Sequence, residues 1–225
     1  MFINFSDTRL FEYLPKVILP ALFATLRMLF FSMILGLVIG SIVAVVLVIT
    51  SPYGLKPNKR IYRALDFIIN MIRSFPVIIL IVAISPITRI LVGTSVGEKA
   101  AIVPLTIAAF PVIARYIEAS LLEVNKNLIL AAKSFGASDS QIMIKVMFAE
   151  ALPSIVAGLT TTTILFLAST TLAGAVGAGG LGAVALTYGY QRFDDLMMYA
   201  IVVILFIMVL IIQGIGELVY RKIKK

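Results

Sequence analysis

Met28 to Leu55, Ala151 to Gln191 and Leu196 to Gly216 carry no charged side chain. A membrane hydrocarbon core about 30 Å thick is crossed by about 20 residues of helix, so each run is long enough to span it. Ser74 to Thr88 and Ala100 to Ala114 are shorter between charges but extend through weakly polar flanks. Five spans are expected, near 17–50, 66–92, 100–120, 152–173 and 195–219 of a single transmembrane domain covering 1–225. A mean hydropathy of +1.09 and a charged fraction of only 13% agree, since soluble domains carry about 25%. The expected fold class is all-α and integral to the membrane.

The composition also excludes chemistry. Cysteine is absent, so no disulfide framework, thiolate nucleophile or cysteine-rich metal site can form. Histidine is absent too, which removes the commonest general base and metal ligand. A membrane-embedded enzyme is left without its acid, base or metal, and no cofactor or metal site is expected in the chain. Asp66 and Glu217 fall at span ends. Intramembrane carboxylates usually mark ion coupling, so their placement disfavours a standalone secondary carrier and leaves a passive pore open.

The net charge of +8 is distributed by side rather than clustered for nucleic acid. Lys56, Lys59, Arg60 and Arg63 follow the first span; Arg115, Lys126, Lys133 and Lys145 follow the third; Arg221, Lys222, Lys224 and Lys225 close the chain. The other side has Arg9, Lys16, Arg89, Lys99 and Arg192, so twelve basic residues face five. By the positive-inside rule the C-terminus is expected in the cytoplasm and, with five spans, the N-terminus outside. The first apolar run exceeds a signal-peptide core of about 7–15 residues and contains Arg27, so this span is expected to be retained.

Several residues inside the spans admit two readings. Gly36 and Gly40 form a G-x-x-x-G pair that lets another helix approach, most simply for packing. Arg73, before Ser74, Phe75 and Pro76, is either an interfacial anchor or part of a gate or ion pair, with Asp66 and Glu118 as candidate partners. Pro104 and Pro111 each remove a backbone donor and are expected to bend the third span, as happens where a pathway is lined. The fourth span, expected to begin after Pro153, carries Thr160 to Thr163, Ser169, Thr170 and Thr171. Their hydroxyls either bond back to the preceding turn or line a polar path, with Thr163 and Thr170 as the candidates.

Gly177 to Gly182 spells GAGGLG and fits G-x-G-x-x-G. A dinucleotide site needs a preceding strand and a βαβ unit, whereas these glycines lie in a 41-residue uncharged stretch after a membrane helix. No G-x-x-x-x-G-K-[ST] phosphate loop occurs either. Gly174, Gly177 and Gly180 are instead expected to form a bent hairpin near the outer surface, on a pathway or at a dimer axis.

One polar interruption stands apart: LAAKSFGASDSQIMIKV, Leu130 to Val146. Leu128, Ala131, Ala132 and Phe135 recur at helical spacing, and Gly136 then ends the helix. Ser138 to Gln141 is a capping-box pattern that restarts a second helix, with Ile142/Val146 and Met143/Met147 as i,i+4 pairs. Two short helices joined at a glycine make a compact cytoplasmic protrusion over 126–149.

Ala131-Ala132, three residues, then Gly136 resembles the cytoplasmic signature of ABC importer permeases, Glu-Ala-Ala-x-x-x-Gly followed by Ile-x-Leu-Pro. This chain has Leu130 at the glutamate position, Val146 at the isoleucine and Ala149 at the proline. Arg73 to Arg115 and Ala173 to Asp194 look like the methionine-uptake branch of the type I, binding-protein-dependent permeases; other branches lack the GTS-x-G and YGYQRF stretches. The resemblance covers roughly Leu19 to Arg221. It implies a non-catalytic permease subunit pairing with a second copy in the bilayer. A cytoplasmic ATPase dimer holding ATP and magnesium and an extracytoplasmic substrate-binding lipoprotein would be its partners. Leu130, Ala131, Ala132, Ser134, Phe135, Gly136, Ala137, Ser138 and Gln141 would contact the ATPase. A permease for another small solute is the nearest alternative.

Overall fold

The computed structural model describes residues 12–224, which leaves Arg9 and Lys225 of the charge count outside the described residues. Among the described residues there are helices, turns and bends but no strand. That is what long apolar runs require, because lipid offers backbone N–H and C=O groups no partner outside their own helix. In chain order the helices are α1 (Leu14–Thr50), α2 (Lys59–Ser74), α3 (Val77–Ala83), α4 (Ser85–Val92), α5 (Glu98–Leu122), α6 (Lys126–Ser134), α7 (Asp139–Ala178), α8 (Gly180–Val184, continued by π turns over Ala185–Tyr190) and α9 (Asp195–Ile223). Among the described residues, α1, α5, α7 and α9 are each long and apolar enough to cross a membrane. The bent pair α2 and α3 passes the same test only when the two are taken together, so the spans number four, or five with that pair counted as one.

The structure differs from the sequence expectation where prolines fall. The second apolar stretch is three helices rather than one. Phe75 is extended (φ −84°, ψ 132°), as a residue before proline prefers, and Pro76 precedes the first turn of α3. Ile84 then breaks α3 from α4, whose first turn holds Pro86. Pro153, expected before the fourth span, lies within that helix. A wider π turn, Ile142–Phe148, precedes it in α7, and such turns absorb local misfit in the hydrogen-bond ladder. α5 continues through both Pro104 and Pro111.

The chain forms two compact units, each drawing on several helices. The first comprises Met1–Met33, Pro76–Thr106 and Ile164–Ile211. Ile18, Met28, Leu105, Leu181, Met197 and Ile201 are the largest of its fully buried side chains. The second comprises Ile34–Phe75, Ile107–Thr163 and Ile212–Lys225, with Leu47, Ile69, Ile113, Ile117, Leu121 and Ile142 fully buried. Lipid is as apolar as leucine, so close packing rather than escape from water must hold each core together. The second unit shows how: a Cβ on Gly36 would lie 2.9 Å from Ala109 Cβ, and one on Gly40 would lie 2.9 Å from the Phe110 carbonyl oxygen. The G-x-x-x-G pair is a packing face for α5.

Candidate functional site

The polar interruption folds as a capped hairpin. Asn125 caps α6 by accepting from the Asn127 N–H at 2.9 Å. At the other end Gly136 takes φ +77°, the Gly136 N–H donates to the Lys133 carbonyl at 2.9 Å and the Ala137 N–H to the Ala132 carbonyl at 3.1 Å. This pair of bonds is a Schellman motif, which turns the chain at a left-handed residue. Ser138 then caps α7: its Oγ accepts from the Gln141 N–H at 3.3 Å, and the Gln141 side chain accepts from the Ser138 N–H at 2.9 Å. Both halves of the capping box are present. Ile142, Met143 and Met147 root the second limb in the core.

The stripe expected from Leu128, Ala131, Ala132 and Phe135 lies largely on the outside. Phe135 is 91% exposed and Leu130 60% exposed. Ala131, Ser134, Gly136, Ser138 and Gln141 are exposed, and Ala132 and Ala137 half-buried. An aromatic at the apex of a doubly capped corner offers a rigid apolar knob to a groove on another surface.

In the same unit Arg115 gathers an ion network. Its Nη1 donates to Glu118 Oε2 at 2.7 Å and its Nη2 to Asn70 Oδ1 at 3.3 Å; Asp66 accepts from Nη2 as well. The Glu118 side chain is 5% exposed. Arg73 is exposed on α2, and the two carboxylates weighed as its partners are those held by Arg115.

The glycine segment lies in the first unit. α7 unwinds at Val176 and Gly177, and Gly177, Gly179 and Gly180 all have positive φ. A Cβ on Gly174 would sit 2.5 Å from the Ala183 nitrogen, and one on Gly182 2.2 Å from the Thr171 carbonyl oxygen. Backbone therefore meets backbone, which only glycine permits. α1 pins the fold-back: the Leu181 N–H donates to Thr25 Oγ1 at 2.9 Å, and the Thr25 hydroxyl donates to the Ala21 carbonyl at 3.0 Å. The Gly97 N–H donates to the Gly177 carbonyl at 2.9 Å, beside a pair in which Arg27 Nη2 reaches Glu98 Oε2 at 2.9 Å.

A cavity of about 10 Å³ lies against this fold-back, lined by Ser85, Thr88, Ser95, Gly97, Pro104 and Val176 among others. That is room for about one water and not for a solute. Pro104 is thus brought beside the glycine segment, and Pro111 and Thr170 are buried. Thr163 is half-buried and Pro76 exposed. The hydroxyls of Thr160 to Thr163, Ser169, Thr170 and Thr171 all donate to carbonyls three or four residues back. Among the described residues no group of three or more histidine, cysteine or carboxylate side chains converges on a metal position.

Sequence reasoning missed Thr25 and the Arg115 network. A lone threonine in an apolar run carries no local signal. Arg115 and Glu118 at i,i+3 did carry one.

Comparison with known proteins gives a consistent result. Residues 36–225 match the family described as binding-protein-dependent transport system inner membrane component. A probable D-methionine transport system permease of Vibrio cholerae is 44% identical over 92% of this chain and 92% of its own. A methionine import system permease of Bacillus subtilis is 41% identical over 80% and 81%. The chain also aligns with a solved structure described as inward-facing conformations of the MetNI methionine ABC transporter. That alignment has a TM-score of 0.92 at 42% identity and covers 95% and 99% of the two chains. An amino acid ABC transporter structure at 21% identity shares the fold, with a TM-score of 0.80.

Proposed function

Because the chain belongs to the family of binding-protein-dependent transport system inner membrane components, a multi-pass plasma-membrane permease with the type I importer fold, we propose that it is the methionine-importing subunit of an ATP-driven transporter. Two copies form the pathway, an ATPase dimer docks on the hairpin, and a binding lipoprotein delivers substrate to the opposite face. The observation that carries this reading is the doubly capped corner with Phe135 at 91% exposure. A corner held by a Schellman motif on one side and a capping box on the other has few internal degrees of freedom, so force applied to it moves both limbs together.

The chain has no phosphate loop, so energy must arrive through such a contact. Leu130 stands where the signature has glutamate, which leaves docking to apolar contact by Leu130 and Phe135 and close approach at Gly136. Methionine as substrate rests on the relatives, since no described side chain is tied to a thioether or to amino-acid charges. The reading predicts that Gly136→Asp leaves the permease in the membrane and abolishes co-purification of the ATPase. It also predicts that vesicles holding permease, ATPase and binding protein take up methionine in an ATP-dependent manner. Full ATPase recovery with the variant, or uptake indifferent to ATP, would overturn it.

A further inference from the structure

The loop between α1 and α2 is folded as tightly as the hairpin, and nothing in the reading above uses it. The Gly54 N–H donates to the Ser51 carbonyl at 3.0 Å, the Lys56 N–H to the Ile49 carbonyl at 3.0 Å and the Asn58 N–H to the Thr50 carbonyl at 2.9 Å. Ser51 is 1% exposed, and its hydroxyl donates to the Val48 carbonyl at 3.1 Å. A Cβ on Gly54 would lie 2.1 Å from the Val48 carbonyl oxygen, so the turn admits no side chain there. Asn58 closes the loop by capping α2, accepting from the Arg60 and Ile61 N–H groups.

Two side chains leave this rigid loop and touch both limbs of the hairpin. The Tyr53 ring receives Lys126 Nζ at 5.1 Å from its centroid, and Lys126 is the first residue of α6. Lys56 Nζ lies 3.4 Å from Asp139 Oδ2, and Asp139 is the first residue after the Ser138 cap of α7. One contact would leave the hairpin free to pivot; two, at the starts of its two limbs, set its direction while the Phe135 apex stays free. The Lys56 side chain is 75% exposed and that of Asp139 38%. Contacts so exposed are too weak to hold a fold and strong enough to bias an orientation.

We propose that the Ser51–Asn58 loop is a bracket in which Tyr53 and Lys56 are positioning residues that orient the hairpin for energy transfer. The proposal rests on the coupling reading above and adds residues to it. In vesicles holding permease, ATPase and binding protein, the readout is methionine imported per ATP hydrolysed. Lys56→Glu places a carboxylate against Asp139 and is expected to lower that ratio by about threefold, within the reach of an exposed ion pair, with ATPase co-purifying as before. Lys56→Arg keeps the ratio, and Lys56→Glu combined with Asp139→Lys restores it. An unchanged ratio in Lys56→Glu, or failure of the exchanged pair to restore it, overturns the bracket. Loss of the ATPase from the Lys56→Glu complex makes the loop a docking surface and overturns the positioning role. If Gly136→Asp retains the ATPase, the coupling reading has failed, whatever Lys56 does.

Discussion

Arg115 carries more of the second unit's electrostatics than any other described side chain. It is 20% exposed and serves Asp66 and Glu118 at once, while Glu118 Oε1 is buried and receives no hydrogen bond from the described residues. Removing one partner of a buried pair leaves the other uncompensated, which is worse than removing both. Arg115→Gln is therefore expected to cost about 3 kcal/mol, the lower end for such pairs because Asp66 is partly exposed. Arg115→Leu with Glu118→Leu should recover most of that loss. Thermal unfolding of the detergent-purified variants tests this, and a double variant less stable than Arg115→Gln would refute it. The sequence placed charge at this end of the bundle and offered Asp66 and Glu118 only as candidate partners of Arg73, leaving an interfacial anchor as the other reading. Spacing along one helix reveals the Arg115 and Glu118 pair, whereas Asp66 comes from 49 residues away, and only tertiary packing decides which cation it meets.

Among the elements, the hairpin was the most legible because its signals are local. A capping box and a left-handed glycine act within four or five residues, so the sequence specifies them without reference to the rest of the fold. The same holds for the apolar runs, but not for the prolines: Pro76 and Pro86 start new helices whereas Pro104, Pro111 and Pro153 lie within continuous ones, and packing rather than identity decides between the two. The fold-back at Gly174 to Gly182 was legible only as glycine content. Its anchor at Thr25 is 156 residues from Leu181, and no periodicity announces it. The hairpin's local origin also makes it testable apart from transport. Ser138→Ala removes one cap and is expected to weaken the restart of α7 by about 1 kcal/mol. Gly136→Ala should loosen the corner more than Gly136→Asn, since a Cβ there meets nothing within 4 Å and backbone conformation alone opposes it. Hydrogen exchange over 126–149 would register both effects, and equal protection in all three variants would show that the corner is held by something other than its caps.

At the scale of the whole molecule, orientation follows from charge. Basic residues resist crossing to the outer side, so the hairpin that carries Lys126, Lys133 and Lys145 is expected inside and the segment around Tyr190 to Phe193 outside. The composition supplies a clean test, because a chain without cysteine can be given one thiol at a time. Phe135 is 91% exposed and Phe193 84% exposed, so a cysteine at either site presents itself to solvent without disturbing a core. In sealed right-side-out vesicles a membrane-impermeant maleimide should label Phe193→Cys and leave Phe135→Cys unmodified until the membrane is opened. Inside-out vesicles should reverse the pattern. Labelling of Phe135→Cys from the outer side would place the corner away from any cytoplasmic ATPase, and the transport mechanism built on it would fall even though every helix stayed where the structure puts it.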